Sequence, residues 1–362
     1  MSEQTRFMAK WLSLVLATLC SVVPLTACGG SQRTTQTTIE KGKTDFNGSR
    51  LAIVKERGNL ICGINGEVPG FSFVDENGQY SGLDVDICRA IAAALFDDPA
   101  KVEYRKLSAH ERFTAVQAGE VDVLNRNTSW TVSRDTSVGV AFAPIVFYDG
   151  QGIMVTKASG ATKLEDLEAK SICVLAGTTT EQNLADQMRR RGVENYNSVI
   201  SDDVDALYAA YQEGRCEAVT SDRSQLVARR SVFPQKDDHV ILGVFMSKEP
   251  LSPVVADGDS NWFDAVKWIT FATMQAEEFG LMSENIGTFE SSEDPNIRRF
   301  LGLDDKLGED MGLPNNFAFR IIKHVGNYGE IYERNIGQPL KLDRGLNKLW
   351  TDGGLLYSPP FR

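Results

Sequence analysis

Histidine is scarce, with three in 362 residues, and His110, His239 and His324 fall at no metal-ligand spacing. The six cysteines include no C-x-x-C pair, so a zinc site is not expected. No G-x-S-x-G elbow, P-loop or G-x-G-x-x-G turn occurs, which removes the common signatures of hydrolases, NTPases and dinucleotide enzymes. Basic residues are in deficit, 38 Lys and Arg against 49 Asp and Glu for a formal charge of −11, so nucleic acid is not an expected partner. After Val23 no apolar run is long enough to span a bilayer. No catalytic residue, metal or cofactor is expected from these absences.

What is present begins at the N-terminus. Arg6 and Lys10 precede an apolar run from Trp11 to Val23, and Leu25-Thr26-Ala27-Cys28 follows. The run is about half of what a spanning helix needs, so it reads as a signal peptide, and the tetrapeptide looks like the cleavage and acylation site of bacterial lipoproteins. Residues 1–27 are expected to be removed and Cys28 to carry lipid, placing the protein outside the cytoplasm, periplasmic or at the cell surface, on a membrane anchor. Removal takes away Glu3, Arg6 and Lys10 and moves the formal charge from −11 to −12. Residues 28–48, rich in Ser, Thr, Gln, Lys and Gly, form a flexible tether.

About 310 residues remain, more than one hydrophobic core usually organises, so two lobes are expected. The halves echo each other. Asn59-Leu60-Ile61-Cys62 parallels Lys170-Ser171-Ile172-Cys173, and the segment 115–123 around Gly119 parallels 210–218 around Gly214. In each, a helix closes on Gly and an apolar strand follows, which implies βαβ units with parallel pairing in two similar α/β lobes. The first helix is expected after Asp84, with that carboxylate as its cap and Ile87, Ile91 and Leu95 facing inward. The chain crosses near Ala143–Gly152 and returns after the turn Asp257-Gly258-Asp259, with Pro253–Ala256 as the last strand of the second lobe. Lobe 1 thus comprises 49–148 and 260–362, and lobe 2 comprises 149–259. Four cysteines stay with this body, and in an oxidising compartment they suggest two disulfides. Cys62–Cys88 and Cys173–Cys216 are favoured among three connectivities because each loop closes within one lobe, the alternative being four buried thiols.

Three segments converge on the cleft such lobes would form. Arg126-Asn127-Thr128-Ser129 through Arg134 follows a strand end of lobe 1, where ligands of open α/β sheets gather. Arg134 can grip a carboxylate in bidentate fashion, with Asn127 and Ser129 as neutral contacts; the alternative is a solvated surface arginine. Gly177-Thr178-Thr179 opens a helix, and Thr178-x-x-Glu181 matches a capping box, so Thr178, Thr179 and their amides can meet an anion. Asp222, at the corresponding strand end of lobe 2, can take an ammonium group or can be a solvated turn residue. A positive and a negative grip on opposite lobes suit an α-amino acid. Phe71, Phe73, Trp130 and Tyr148 are candidates to wall the pocket, although aromatics at such positions are core residues more often than not.

At these residues the chain resembles the bacterial polar amino-acid solute-binding family that serves ABC importers. Gly82-Leu83-Asp84-Val85-Asp86, Gly119-Glu120-Val121-Asp122-Val123, Ser129 to Arg134, Gly177-Thr178-Thr179 and the Asp222 strand end come in the family's order. Val325-Gly326-Asn327-Tyr328-Gly329-Glu330 and Gly353-Gly354-Leu355-Leu356-Tyr357 are similar to its general L-amino-acid subgroup. The resemblance implies a two-lobe type II periplasmic-binding fold joined by two hinge strands. It implies Arg134 on the ligand carboxylate, Asp222 on its amino group, Asn127, Ser129 and Thr179 completing the contacts, and delivery to a permease. The loop Asn65 to Phe71 lacks the family's aromatic before Pro-Phe, and Phe71 is the expected substitute. An enzyme reading, a cyclohexadienyl or arogenate dehydratase, rests on the same fold and requires a general acid in the cleft. A sensor lobe would require a fused transmembrane or kinase segment.

Overall fold

The structure, a computed structural model, describes residues 48–362. The signal-like segment, Cys28 and all of the tether but its last residue lie outside these residues. Apart from a small three-stranded sheet of Glu67–Val68, Ser72–Val74 and Tyr80–Ser81, the chain runs first through β1 (Leu60–Ile64), β2 (Val102–Lys106), β3 (Val123–Leu124) and β4 (Val140–Phe142). After β5 (Phe147–Asp149) come β6 (Gln151–Thr156), β7 (Ser171–Leu175), β8 (Asn197–Ser201), β9 (Ala218–Asp222) and β10 (His239–Ile241). The last two are β11 (Glu249–Leu251) and β12 (Val254–Ala256). Ten of these twelve form two five-stranded sheets of matching design, β2-β1-β3-β12-β4 and β8-β7-β9-β6-β10. In each sheet the second strand pairs parallel with its two neighbours, while the fourth runs antiparallel to both of its own. The fourth strand of each sheet directly follows a crossing from the other lobe, which is why it enters against the grain.

The sequence dictates this locally. Helix α1 (Arg50–Arg57) is capped by the Ser49 hydroxyl and stopped by Gly58 at φ 79°. Helices α2 (Leu83–Phe96) and α3 (Arg112–Gln117) follow β1 and β2, and α4 (Val132–Ser137) follows β3. In the second lobe α5 (Thr179–Arg190), α6 (Val204–Gln212) and α7 (Arg223–Ser231) follow β7, β8 and β9, and α8 (Ser260–Glu278) follows β12. Ile172, Cys173 and Val174 are all fully buried because helices cover both faces of their sheet. One core surrounds α2 and α8, where the Trp262 indole donates to the Asp122 carbonyl at 2.7 Å. Two smaller clusters flank the second sheet, one holding Tyr208 and Cys173 and the other Leu184 and Ile172.

Two local expectations change. Asp84 does not cap α2. Gly82 occupies the N-cap position with φ 127°, and a side chain there would overlap the Phe71 carbonyl, so only glycine lets the 71–72 backbone pass this close. Likewise β12 lies in the first sheet rather than closing the second lobe, so the return crossing is β11, ahead of the turn at Asp257-Gly258-Asp259. An apolar strand reads the same whichever sheet it joins, and the turn was the louder signal. The hinge is the antiparallel pair of β5 and β11, with Asp149 opposite Glu249. The C-terminal segment braces it: Tyr328 donates to the Val146 carbonyl at 2.6 Å, and Asn347 bonds both the N–H and the carbonyl of Tyr148, at 2.6 and 3.2 Å.

Both disulfides, Cys62–Cys88 and Cys173–Cys216, are present, spanning 26 and 43 residues within their respective lobes. Closing loops of this length restricts the unfolded chain by roughly 3.5 and 4 kcal/mol. Cys173→Ser with Cys216→Ser is therefore expected to lower unfolding free energy in denaturant titration by about 4 kcal/mol; an unchanged midpoint would show that the bond does not constrain the unfolded ensemble.

Candidate ligand cleft

The loop after β3 is shaped by what it is tied to. Asn127 has a left-handed backbone, φ 43°, and its N–H lies toward the buried Asp84 carboxylate. The Arg126 Nε donates to the Leu107 carbonyl at 2.6 Å, and the Trp130 N–H to the Pro250 carbonyl at 2.8 Å. Thr131 then caps α4 by accepting the Arg134 N–H at 3.3 Å. This cap starts a short helix whose third residue, Arg134, points back over its own loop: Nη1 donates to the Ser129 carbonyl at 3.0 Å, and the guanidinium lies 5.4 Å from the Phe113 ring centre.

The second lobe faces it with a helix start and a strand end. Thr178 caps α5 through the Glu181 N–H at 3.2 Å, but the Glu181 carboxylate takes the Gly177 N–H instead of completing the expected box. Gly177, at φ 69°, sits against His110 of the first lobe. Asp222 ends β9 at the N-cap position of α7 and yet makes no capping bond; its carboxylate is buried with 7 % exposure.

Of the residues anticipated from sequence, Asn127, Ser129, Arg134, Thr178, Thr179 and Asp222 line one cavity between the sheets. Phe71 does not. It is fully buried in the first lobe's core, edge-on to Phe147 with ring centres 5.1 Å apart. Phe73, Trp130 and Tyr148 are also absent from the lining; Trp130 stacks on Phe142 at 5.9 Å. The cavity measures about 30 Å³, the share of a single water molecule, so an amino acid enters only with the lobes further apart. A roomier depression of about 480 Å³ lies elsewhere on the first lobe, but its Arg89 and Arg334 are already paired with Asp86.

Residues 60–289 match the model of the bacterial extracellular solute-binding proteins, family 3. The chain belongs to that family. This family 3 protein is 47% identical over 325 residues to the general L-amino acid-binding periplasmic protein AapJ of Rhizobium johnstonii, covering 89% of this chain and 95% of the relative. It is also 47% identical over 317 residues to the glutamate/glutamine/aspartate/asparagine-binding protein BztA of Rhodobacter capsulatus, covering 87% and 94%. Among solved structures, a periplasmic binding protein from Brucella ovis with glutathione bound is 48% identical with a TM-score of 0.85, covering 87% of this chain and 99% of that one.

The family 3 protein carries cleft residues that sequence reasoning passed over. Arg112, on α3, is 2 % exposed, reaches the Gly177 carbonyl across the cleft at 3.4 Å, and leaves its buried Nε without a partner. Its place in an ordinary amphipathic stretch hid it; an arginine amid Ala115 and Val116 on a buried face was the available signal. Asn65, Arg126, Ser221 and Gln225 join the lining as well. No ion pair involves Arg112, Arg126, Arg134 or Asp222 among the described residues. Burial pushes the guanidinium pKa values down, that of Arg126 to about 10, and neighbouring arginines add to the effect for Arg112. Burial, then Asp149 and Glu249, drive the Asp222 pKa well above the ordinary carboxylate range.

Asp84 behaves similarly, raised by burial to about 7 although the Asn127 N–H and Arg126 oppose the shift. Its unfolded value is about 3.9, so the folded protein holds the extra proton between these values and stability falls as pH rises through that window. Asp84→Asn removes the titration. The variant's melting temperature relative to wild type is expected to climb between about pH 4 and pH 7; a difference independent of pH would refute the shift.

Proposed function

We propose that this protein captures polar L-amino acids in the interlobe cleft and hands them to an ABC permease, acting by binding alone and held at the membrane through lipid on Cys28. Arg134 grips the ligand carboxylate together with the N–H groups at the start of α5, and Asp222 takes the ammonium. Asn127, Ser129 and Thr178 border the two grips. The observation that carries the reading is the cavity's unpaired charge, three guanidiniums and one carboxylate without a mutual ion pair. Such groups are costly to bury alone, and a zwitterion bridging the lobes supplies their missing partners. A charged hydrogen bond contributes roughly 1.5–3 kcal/mol, whereas micromolar capture needs about 8, so closure has to recruit several at once. The surplus of arginines favours ligands with a second carboxylate or an amide, and Arg112, with its unpartnered Nε, is the group to receive it. The two relatives named for amino acids support amino-acid ligands, and the glutathione-bound neighbour shows that a related protein takes a ligand with more than one carboxylate.

Thermal-shift screening against the twenty amino acids is the direct test, with polar and acidic residues expected to raise the melting temperature. Turnover of prephenate or arogenate by the purified protein would overturn the non-catalytic reading. In calorimetry, Arg134→Ala should weaken amino acids by about 100-fold or more while sparing the melting temperature of the empty protein, and Asp222→Asn should weaken amino acids far more than their deaminated analogues; retained affinity in the first, or equal losses in the second, contradicts the assigned roles. Arg112→Gln is expected to reduce affinity for L-glutamate about 10-fold or more and for L-serine less than about 3-fold, so parallel losses would place Arg112 outside the side-chain contact.

A further inference from the structure

Glu249 lies on the return hinge strand β11 and is 1 % exposed. Its Oε2 accepts the Ser129 hydroxyl from the first lobe and the Thr179 hydroxyl from the second, the latter at 2.8 Å. Its Oε1 accepts the Asn183 amide at 2.9 Å and the Ser247 hydroxyl. Four donors from both lobes and the hinge thus converge on one carboxylate.

A carboxylate has no proton to give, and each hydroxyl has only one. Ser129 and Thr179 therefore spend theirs on Glu249, and what they present to the cavity is lone pairs. Together with Asp222, which is ionised when an ammonium group lies against it, they make a set of oxygens that can only accept. That set suits an ammonium group with three N–H donors, and it cannot donate to a carboxylate. We propose that Glu249 is a positioning residue that sets the polarity of the ligand's ammonium site: by drawing the hydroxyl protons of Ser129 and Thr179 toward the hinge, it turns both oxygens into acceptors. This rests on the amino-acid reading above and refines it. Ser129 and the Thr179 side chain belong to the amino end of the ligand, while the carboxylate end is left to Arg134 and backbone N–H groups. Because the two hydroxyls come from opposite lobes, the set is complete only when the lobes meet at the hinge carboxylate.

Glu249→Gln tests this. The new amide can donate toward the two hydroxyls, which then reverse and aim their protons into the cavity. Calorimetry with L-glutamate and with glutarate, which lacks the ammonium, should show a loss of about 10-fold or more for the first and under about 3-fold for the second. On a Ser129→Ala, Thr179→Val background the same substitution should cost L-glutamate nothing further, since Glu249 acts through those hydroxyls. Equal losses for both ligands, or a full additional loss on the double background, overturn the assignment. Should Glu249→Gln fail to fold, Ser129→Ala with Thr179→Val in the presence of Glu249 must by itself weaken L-glutamate selectively over glutarate, and equal weakening overturns the proposal. A wild-type protein that binds none of the twenty amino acids overturns the functional reading and this proposal together, whereas wild-type binding with unselective losses overturns only the role of Glu249.

Discussion

Buried charge without an internal partner governs this molecule. Arg112, Arg126, Arg134 and Asp222 are drawn into one small cavity, and each is desolvated without an ion pair to compensate it. In a low-dielectric cleft such groups favour whatever satisfies them. A partner bearing opposite charges at its two ends can do so only when both lobes are in reach, so the electrostatics of the site and the mechanics of the hinge become one problem.

The hinge is built to report that condition. Two short antiparallel strands, β5 and β11, place Asp149 and Glu249 opposite each other. Asp149 is held by the neighbouring Gly150 N–H and by the Ser224 N–H in the first turn of α7, while Glu249 reaches hydroxyls on both lobes. From outside, Asn347 of the C-terminal segment anchors β5 at Tyr148, and Tyr328 holds Val146 just before it.

Much of this was legible along the chain because it is encoded in short, local patterns. Gly119 and Gly214 end helices in left-handed conformations, at φ 72° and 74°, and the strands they introduce end at the two halves of the cleft. Asn127, Ser129, Arg134, Thr178, Thr179 and Asp222 were readable because strand ends of α/β sheets collect ligand groups. Phe71 was misread because a Pro and Phe pattern says nothing about which way a ring turns; packing against Phe147 drew it into the core. Asp84 was misread because its spacing before an apolar stripe fits a cap, yet the helix starts at Leu83 with Gly82 as its N-cap, and the freed carboxylate is buried toward the Asn127 loop instead.

The sequence by itself determined the α/β repeat, the four cysteines that stay with the body, and the residue types at each strand end, since all of these follow from periodicity, turn chemistry and spacing within a few tens of residues. Only the tertiary structure decided that β12 belongs to the first sheet, that Arg112 enters the cleft, and that Glu249 gathers Ser129 and Thr179. Those contacts join residues some 65 to 120 positions apart, and burial and hydrogen-bond direction at such distances depend on how the sheets and hinge are packed, which no local pattern carries.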